Sequence, residues 1–153
     1  MDKLKPSGII LRNVCLMKAR IEMKNPDGKQ EYNLQLIGLE RLESDDGLKL
    51  GLYAFFDVLY GVENPLFQFT CDFLARYERD PEQENMQWKD FGSAVALAHI
   101  IPYLREFVSN MTNRLPVPVL MLNPINTHAM VENFEQRRKL AREAEQSSKT
   151  PSA

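Results

Sequence analysis

Residues 113–126 read NRLPVPVLMLNPIN, in which Pro116, Pro118 and Pro124 are interleaved with Leu115, Val117, Val119, Leu120, Met121, Leu122 and Ile125. Each proline lacks an amide donor and biases the residue before it towards extended geometry, so neither a helix nor a central strand can form across the stretch. A preordered apolar segment of this kind either covers the core of its own domain or forms one wall of an apolar groove. Composition by itself favours the first use, since apolar connections are commonly satellite clusters of a core.

Upstream of the strip, apolar residues recur at Ala94, Leu97, Ile100, Ile101, Leu104, Phe107, Val108, Met111 and Leu115, the spacing of one helical face, with Ser93 as its expected N-cap. Ala96 and Tyr103 widen that stripe beyond what one sheet would cover, and Pro102 predicts a kink or a restart. Downstream, a second helix is expected from Asn126 or Thr127 towards Glu145, presenting Met130, Val131 and Phe134 in its first turns. Beyond Phe134 the residues are dominated by charge, with Glu135 and Lys139 at i,i+4. The basic segment Arg137-Arg138-Lys139-Leu140-Ala141-Arg142 reads as a solvated helix face, and residues 146–153 as a disordered tail behind a single domain over 1–145.

The first half of the chain has a period of two. Cys15, Met17, Ala19, Ile21 and Met23 alternate with polar residues, and Asn25-Pro26-Asp27-Gly28 then reads as a hairpin turn. Tyr32, Leu34 and Leu36 share a face, but Ile37 and Leu39 continue on the other parity around Gly38, which predicts a β-bulge there. After the turn Ser44–Gly47, the set Leu48, Leu50, Leu52, Ala54, Phe56, Val58 and Tyr60 has a partly apolar reverse side in Tyr53, Phe55 and Leu59, as expected of a central strand or one covered by another subunit. Phe67, Phe69, Cys71, Phe73, Ala75 and Tyr77 alternate in a fourth strand. Short links between the four predict an antiparallel meander, and the segment 79–90 a loop carrying Trp88. The fold class is α+β, a four-stranded antiparallel sheet followed by a long kinked helix and a C-terminal amphipathic helix.

With 153 residues the chain can bury a core without staples. A net charge of -2 with dispersed lysines and arginines lacks the footprint of a nucleic-acid binder, and no run is long enough to insert in a membrane. The opening residues have no apolar h-region, so a cytoplasmic location is expected. Cys15 and Cys71, each on the apolar side of its alternating pattern, read as packed reduced thiols. With His99 and His128 they are the only soft ligands, and no nucleophile elbow, phosphate loop or dinucleotide fingerprint occurs. No catalytic residue, metal site or cofactor is expected.

The order of elements, and two stretches in particular, resemble the SecB chaperones. Ile101-Pro102-Tyr103-Leu104-Arg105-Glu106 is similar to that family's Phe-Pro-Tyr-Ala-Arg-Glu helix motif, and Val117–Leu120 with Asn123–Met130 resembles its proline-punctuated groove segment. The resemblance implies an ATP-independent holdase that binds unfolded polypeptide in apolar grooves and assembles as a dimer of dimers through its long helix. It places Tyr103, Arg105 and Glu106 in the assembly helix, Pro118, Leu120, Leu122 and Asn126 in the groove strip, and Met130 and Phe134 on the facing wall. Together with the apolar pattern, this makes Val117, Val119, Leu120, Met121, Leu122, Met130, Val131 and Phe134 the expected client-binding set, and Ile100, Tyr103, Leu104, Phe107 and Met111 the expected oligomer interface.

The chain departs from the export members in three respects: a short Asn25–Asn33 link where they have a long aromatic-bearing crossover, no terminal cysteine and histidine tail for zinc, and Lys18 at one of two acidic positions, with Glu22 at the other. These departures argue against docking on the translocase motor. They favour a dedicated client, such as the antitoxin of a toxin-antitoxin-chaperone system, over a general export chaperone of secretory precursors. From other classes, an apolar small-ligand carrier would enclose a cavity between strip, second helix and sheet, and a structural adaptor would use the basic segment on an acidic partner.

Overall fold

A computed structural model describes residues 8–149 except positions 26, 29, 30, 62, 84 and 85. The strands β1 (Ile9–Met23), β2 (Tyr32–Glu43), β3 (Lys49–Tyr60) and β4 (Phe67–Arg79) precede the helices α1 (Ser93–Thr112) and α2 (Thr127–Ser148). The pairing is antiparallel throughout, but the sheet is not a meander. Its order is β1-β4-β3-β2, which places β1 and β2 on opposite edges.

The link from β1 to β2 therefore joins opposite edges of the sheet instead of closing a hairpin. Three strand spacings of ~4.8 Å make ~14 Å, well within the reach of such a link. The link is held against the β3–β4 connection. Lys24 and Asn25 amides donate to Leu66 O at 3.0 and 3.3 Å, and the Gly61 amide donates to Glu31 O. Gly28 is required by that crossing, not by a positive φ. A Cβ on it would lie 2.6 Å from Asn64 O and 2.6 Å from Leu66 N, both backbone atoms.

β1 starts earlier than its alternation suggests because two irregularities, between Leu11 and Asn13 and between Leu16 and Lys18, each reset its parity. Leu11, Val14, Leu16, Ala19, Ile21 and Met23 all pair with inward residues of β4. Cys15 instead lies opposite Leu74 on the outer face, and Met17 falls in the second irregularity, so neither belongs to the core face expected of it. Cys71 is fully buried there, and burial pushes its thiol up to about 12. In β2 the shift between Leu36 and Gly38 brings Leu39 onto the face of Leu36, as the sequence predicts.

α1 covers the inner face of the two central strands. Leu97, Ile100, Leu104 and Val108 are fully buried against Leu52, Phe56, Phe69 and their neighbours. The helix runs unbroken through Pro102, and its N-cap is Gly92; Ser93 is the first helical residue and accepts from Arg41. Arg41 also donates to the Phe91 and Trp88 carbonyls, while Trp88 Nε1 donates to Gly47 O at 2.7 Å, which fastens the loop before α1 to the sheet. Ile100 and Leu104 are consumed by this chain's own core and cannot form an oligomer contact. Tyr103 is exposed, and Phe107 and Met111 are half-buried.

α2 extends past Glu145 to Ser148, taking in the start of the expected tail, of which residues 150–153 lie outside the described residues. None of its residues is buried; Met130, Val131 and Phe134 rest on the core half-buried. No helix among the described residues is long and apolar enough to cross a membrane.

Candidate functional site

The proline strip lies extended along α1, and three polar contacts fix which side of it faces in. Thr112 Oγ1 accepts the Leu120 amide at 2.9 Å while donating to Val108 O. Arg105 Nε donates to Leu122 O at 3.0 Å, and the Asn123 amide donates to the Tyr32 hydroxyl at 2.9 Å. An extended chain alternates its side chains. Leu120 and Leu122 therefore enter the core, whereas Val119 and Met121 remain 46% and 65% exposed. Of the two uses open to this strip, its inward side takes the first, covering the core of its own domain. Leu120 and Leu122 are sealed beneath native side chains, which removes them from the expected client-binding set.

Next to the strip's end a trough runs between α2 and β2, whose outer edge pairs with no other strand among the described residues. It has three connected hollows. A central one of about 570 Å3 shares Asn33, Leu34 and Met130 with a hollow of about 790 Å3 over Tyr32 and Ile125, and shares Leu36 and Arg137 with one of about 380 Å3 over Ile37 and Phe134. All are open to solvent. From Glu31 to Ile37 the trough is about 20 Å long, at ~3.3 Å per strand residue.

Of the expected client-binding residues, Met130 and Phe134 line this trough. Val117, Val119 and Met121 line none of its hollows, and Val131 rests on the core. The β2 wall is absent from the sequence expectation. The trough's lining is apolar at Leu34 and Ile37 of β2 and rich in amides, with Asn33 and Gln35 on β2 and Asn133 and Gln136 on α2. Among the described residues, the charged lining residues are Glu31 at one end and Arg137 and Arg138 at the other.

The backbone of β2 also faces the trough. Leu36 O accepts from Arg137 Nη2 of α2 at 2.8 Å, so that carbonyl points away from β3; Glu31 O, an odd number of residues away, points towards β3. By the alternation of an antiparallel strand, Tyr32 and Leu34 share the outward polarity of Leu36. A row of backbone donors and acceptors is thus presented along the trough floor.

No group of three or more His, Cys, Asp or Glu among the described residues is placed to hold a metal. His99 Nδ1 lies 3.0 Å from the Tyr77 hydroxyl, whose acidity burial suppresses, and His128 is exposed on the first turn of α2. A separate apolar hollow of about 390 Å3, lined by Ile9, Leu11, Phe91 and Val95 with Tyr77 and His99, lies between the start of β1 and α1.

No family model matches the sequence, and no curated protein does. Among solved structures, a SecB-like chaperone of Mycobacterium tuberculosis in complex with a ChAD peptide from the HigA1 antitoxin is similar at a TM-score of 0.63 and 16% identity, covering 76% of this chain and 90% of that one. A protein of unknown function from Streptococcus agalactiae is similar at a TM-score of 0.42 and 12% identity, over 76% and 97% of the two chains. With its four-stranded antiparallel sheet, proline strip and paired helices, this chain has the SecB-like fold.

Proposed function

We propose that the chain is a SecB-like, ATP-independent chaperone that holds unfolded polypeptide in the α2–β2 trough. The observation that carries the reading is the outward row of backbone groups on β2 beside an open wall of amides and aliphatic side chains. A polypeptide is the ligand that presents alternating N–H and C=O groups together with apolar side chains, and it can add to a free sheet edge. The Mycobacterium tuberculosis neighbour, solved with an antitoxin peptide, supports a polypeptide client. A dedicated client such as an antitoxin is the finer form of the proposal, and a general export chaperone is the alternative within the class. Capture from cells separates them: one dominant short partner against many precursors.

Six client residues burying ~300 Å2 of apolar surface gain ~7 kcal/mol at ~25 cal/mol/Å2, against ~1–1.5 kcal/mol of ordering per residue. One trough roughly breaks even, so holding a client needs several troughs on one particle. Self-association as a dimer of dimers meets that need. Its proposed surface is the apolar area left outside the protomer core: Tyr103 and Val95 on α1, with Phe107 and Met111 half-buried near them, and Ile10, Leu16 and Met17 along the open β1 edge.

The test is suppression of aggregation of an unfolded protein without nucleotide. Met130, on the wall of two hollows, is the residue to change. Met130→Glu should weaken suppression about tenfold with the particle size on gel filtration unchanged; full suppression by this variant overturns the trough assignment. The rival is an apolar small-ligand carrier, which needs an enclosed cavity between the strip, α2 and the sheet, where the hollows are open to solvent; its mark would be a monomer that purifies with a bound small molecule.

A further inference from the structure

Arg137 occupies the position where an added strand would begin. Its guanidinium bridges the trough from α2 to β2, lining the central hollow on one side and the Phe134 hollow on the other. Its acceptors are all neutral: Leu36 O at 2.8 Å, Gln35 Oε1 at 3.4 Å and Asn133 O at 3.3 Å. Arg138 lines the same end, and the only acidic lining residue among those described, Glu31, is at the opposite end.

An extended segment that pairs with β2 needs the Leu36 carbonyl for its own amide. Binding therefore displaces Arg137, and a guanidinium that has lost a carbonyl partner in a partly desolvated trough needs another acceptor. A carboxylate suits it best, since the planar fork of donors matches two carboxylate oxygens and the bond is charge-assisted. We propose, resting on the polypeptide-binding reading of this trough, that Arg137 selects clients carrying an aspartate or glutamate at one end of an apolar run, exchanging the Leu36 carbonyl for the client's carboxylate. The amides along the walls accept any sequence, so discrimination falls to this one end of the trough.

Fluorescent peptides carrying two runs of Leu, Val and Phe joined by a flexible linker, so that two troughs of one particle are engaged together, test it by anisotropy with the full chain at low ionic strength. One carries Glu at the N-terminal end of each run, one carries Glu at the C-terminal end of each, and one carries Gln at both. One Glu peptide should bind about tenfold tighter than the Gln peptide; the favoured end reports strand direction, with the N-terminal position marking antiparallel addition to β2. Arg137→Gln should make Glu and Gln peptides equal, and Arg137→Lys, which keeps the charge without the fork, should retain part of the preference. Arg142→Gln, on the same helix but outside the trough lining, should leave the preference intact. Equal binding of Glu and Gln peptides by the native chain, or loss of the preference on Arg142→Gln as well, overturns the selector and leaves the trough reading standing. Absence of binding by every peptide overturns both.

Discussion

α1 and α2 have nearly the same length, 20 and 22 residues, and opposite relations to the core. Ala94, Ala96, Leu97, Ile100, Ile101, Leu104, Val108 and Thr112 of α1 are buried, whereas no residue of α2 is. The first helix is a structural member of the domain, and the second leans on it through three half-buried side chains. Elements with few buried contacts open at low free energy, and binding walls are drawn from that class because a site must yield to its ligand. The trough has one rigid wall, the edge of a strand hydrogen-bonded to β3, and one compliant wall.

The largest expected effect sharpens that contrast. Leu104→Ala removes a side chain that is fully buried and should destabilise the fold by about 2–5 kcal/mol. Phe134→Ala, on a side chain that only leans on the core, should cost roughly 1 kcal/mol in denaturant unfolding while lowering client binding more than Leu104→Ala does at matched folded fraction. Equal losses of stability in the two variants would abolish the distinction between the helices.

Thr112 is the next most revealing position. It is fully buried, and its hydroxyl joins the last turn of α1 to the strip by accepting the Leu120 amide. Thr112→Val keeps the shape and leaves that amide without its partner, at an expected cost of about 1–3 kcal/mol; Thr112→Ser should restore most of it. The signature that separates this contact from mere packing is amide exchange: the Leu120 amide should lose protection in Thr112→Val and regain it in Thr112→Ser. A Leu120 amide equally protected in all three proteins would mean that the strip is held by its buried leucines alone.

The legible parts of the fold are those in which one strand or helix carries its own signal. The uninterrupted alternation of β3 announces a central strand, and the parity change at Ile37–Gly38 announces the bulge found there. β1 conceals its length because two irregularities within fifteen residues cancel the period that would reveal it. Strand order was not legible at all. Asn25–Gly28 has the composition of a hairpin turn, and the need for glycine at position 28 comes from the backbone of Asn64–Leu66, distant in sequence. The site followed the same division. The strip's prolines mark it as extended and apolar, but which leucines are sealed is decided by Thr112 and Arg105 on another element. The opposite wall depends on β2 being at an edge, which is a property of strand order. Arg137 reads as one more cation on a solvated helix until its contact with the Leu36 carbonyl is known.

The smallest expected effect concerns the start of the compliant wall. Asn126 caps α2, its side chain accepting the Ala129 amide at 3.1 Å, a role its position before the amphipathic run makes legible. A cap of this kind is worth about 1 kcal/mol to its helix. Because α2 has no buried residue, that loss should fall on the local opening of the helix and barely on the unfolding of the domain. Asn126→Ala should therefore speed amide exchange along α2 about fivefold, the factor that ~1 kcal/mol represents, while α1 exchange and the denaturation midpoint stay nearly constant. If the midpoint falls by as much as in Thr112→Val, α2 unfolds together with the core, and the compliant wall that the trough needs to admit and release a chain does not exist.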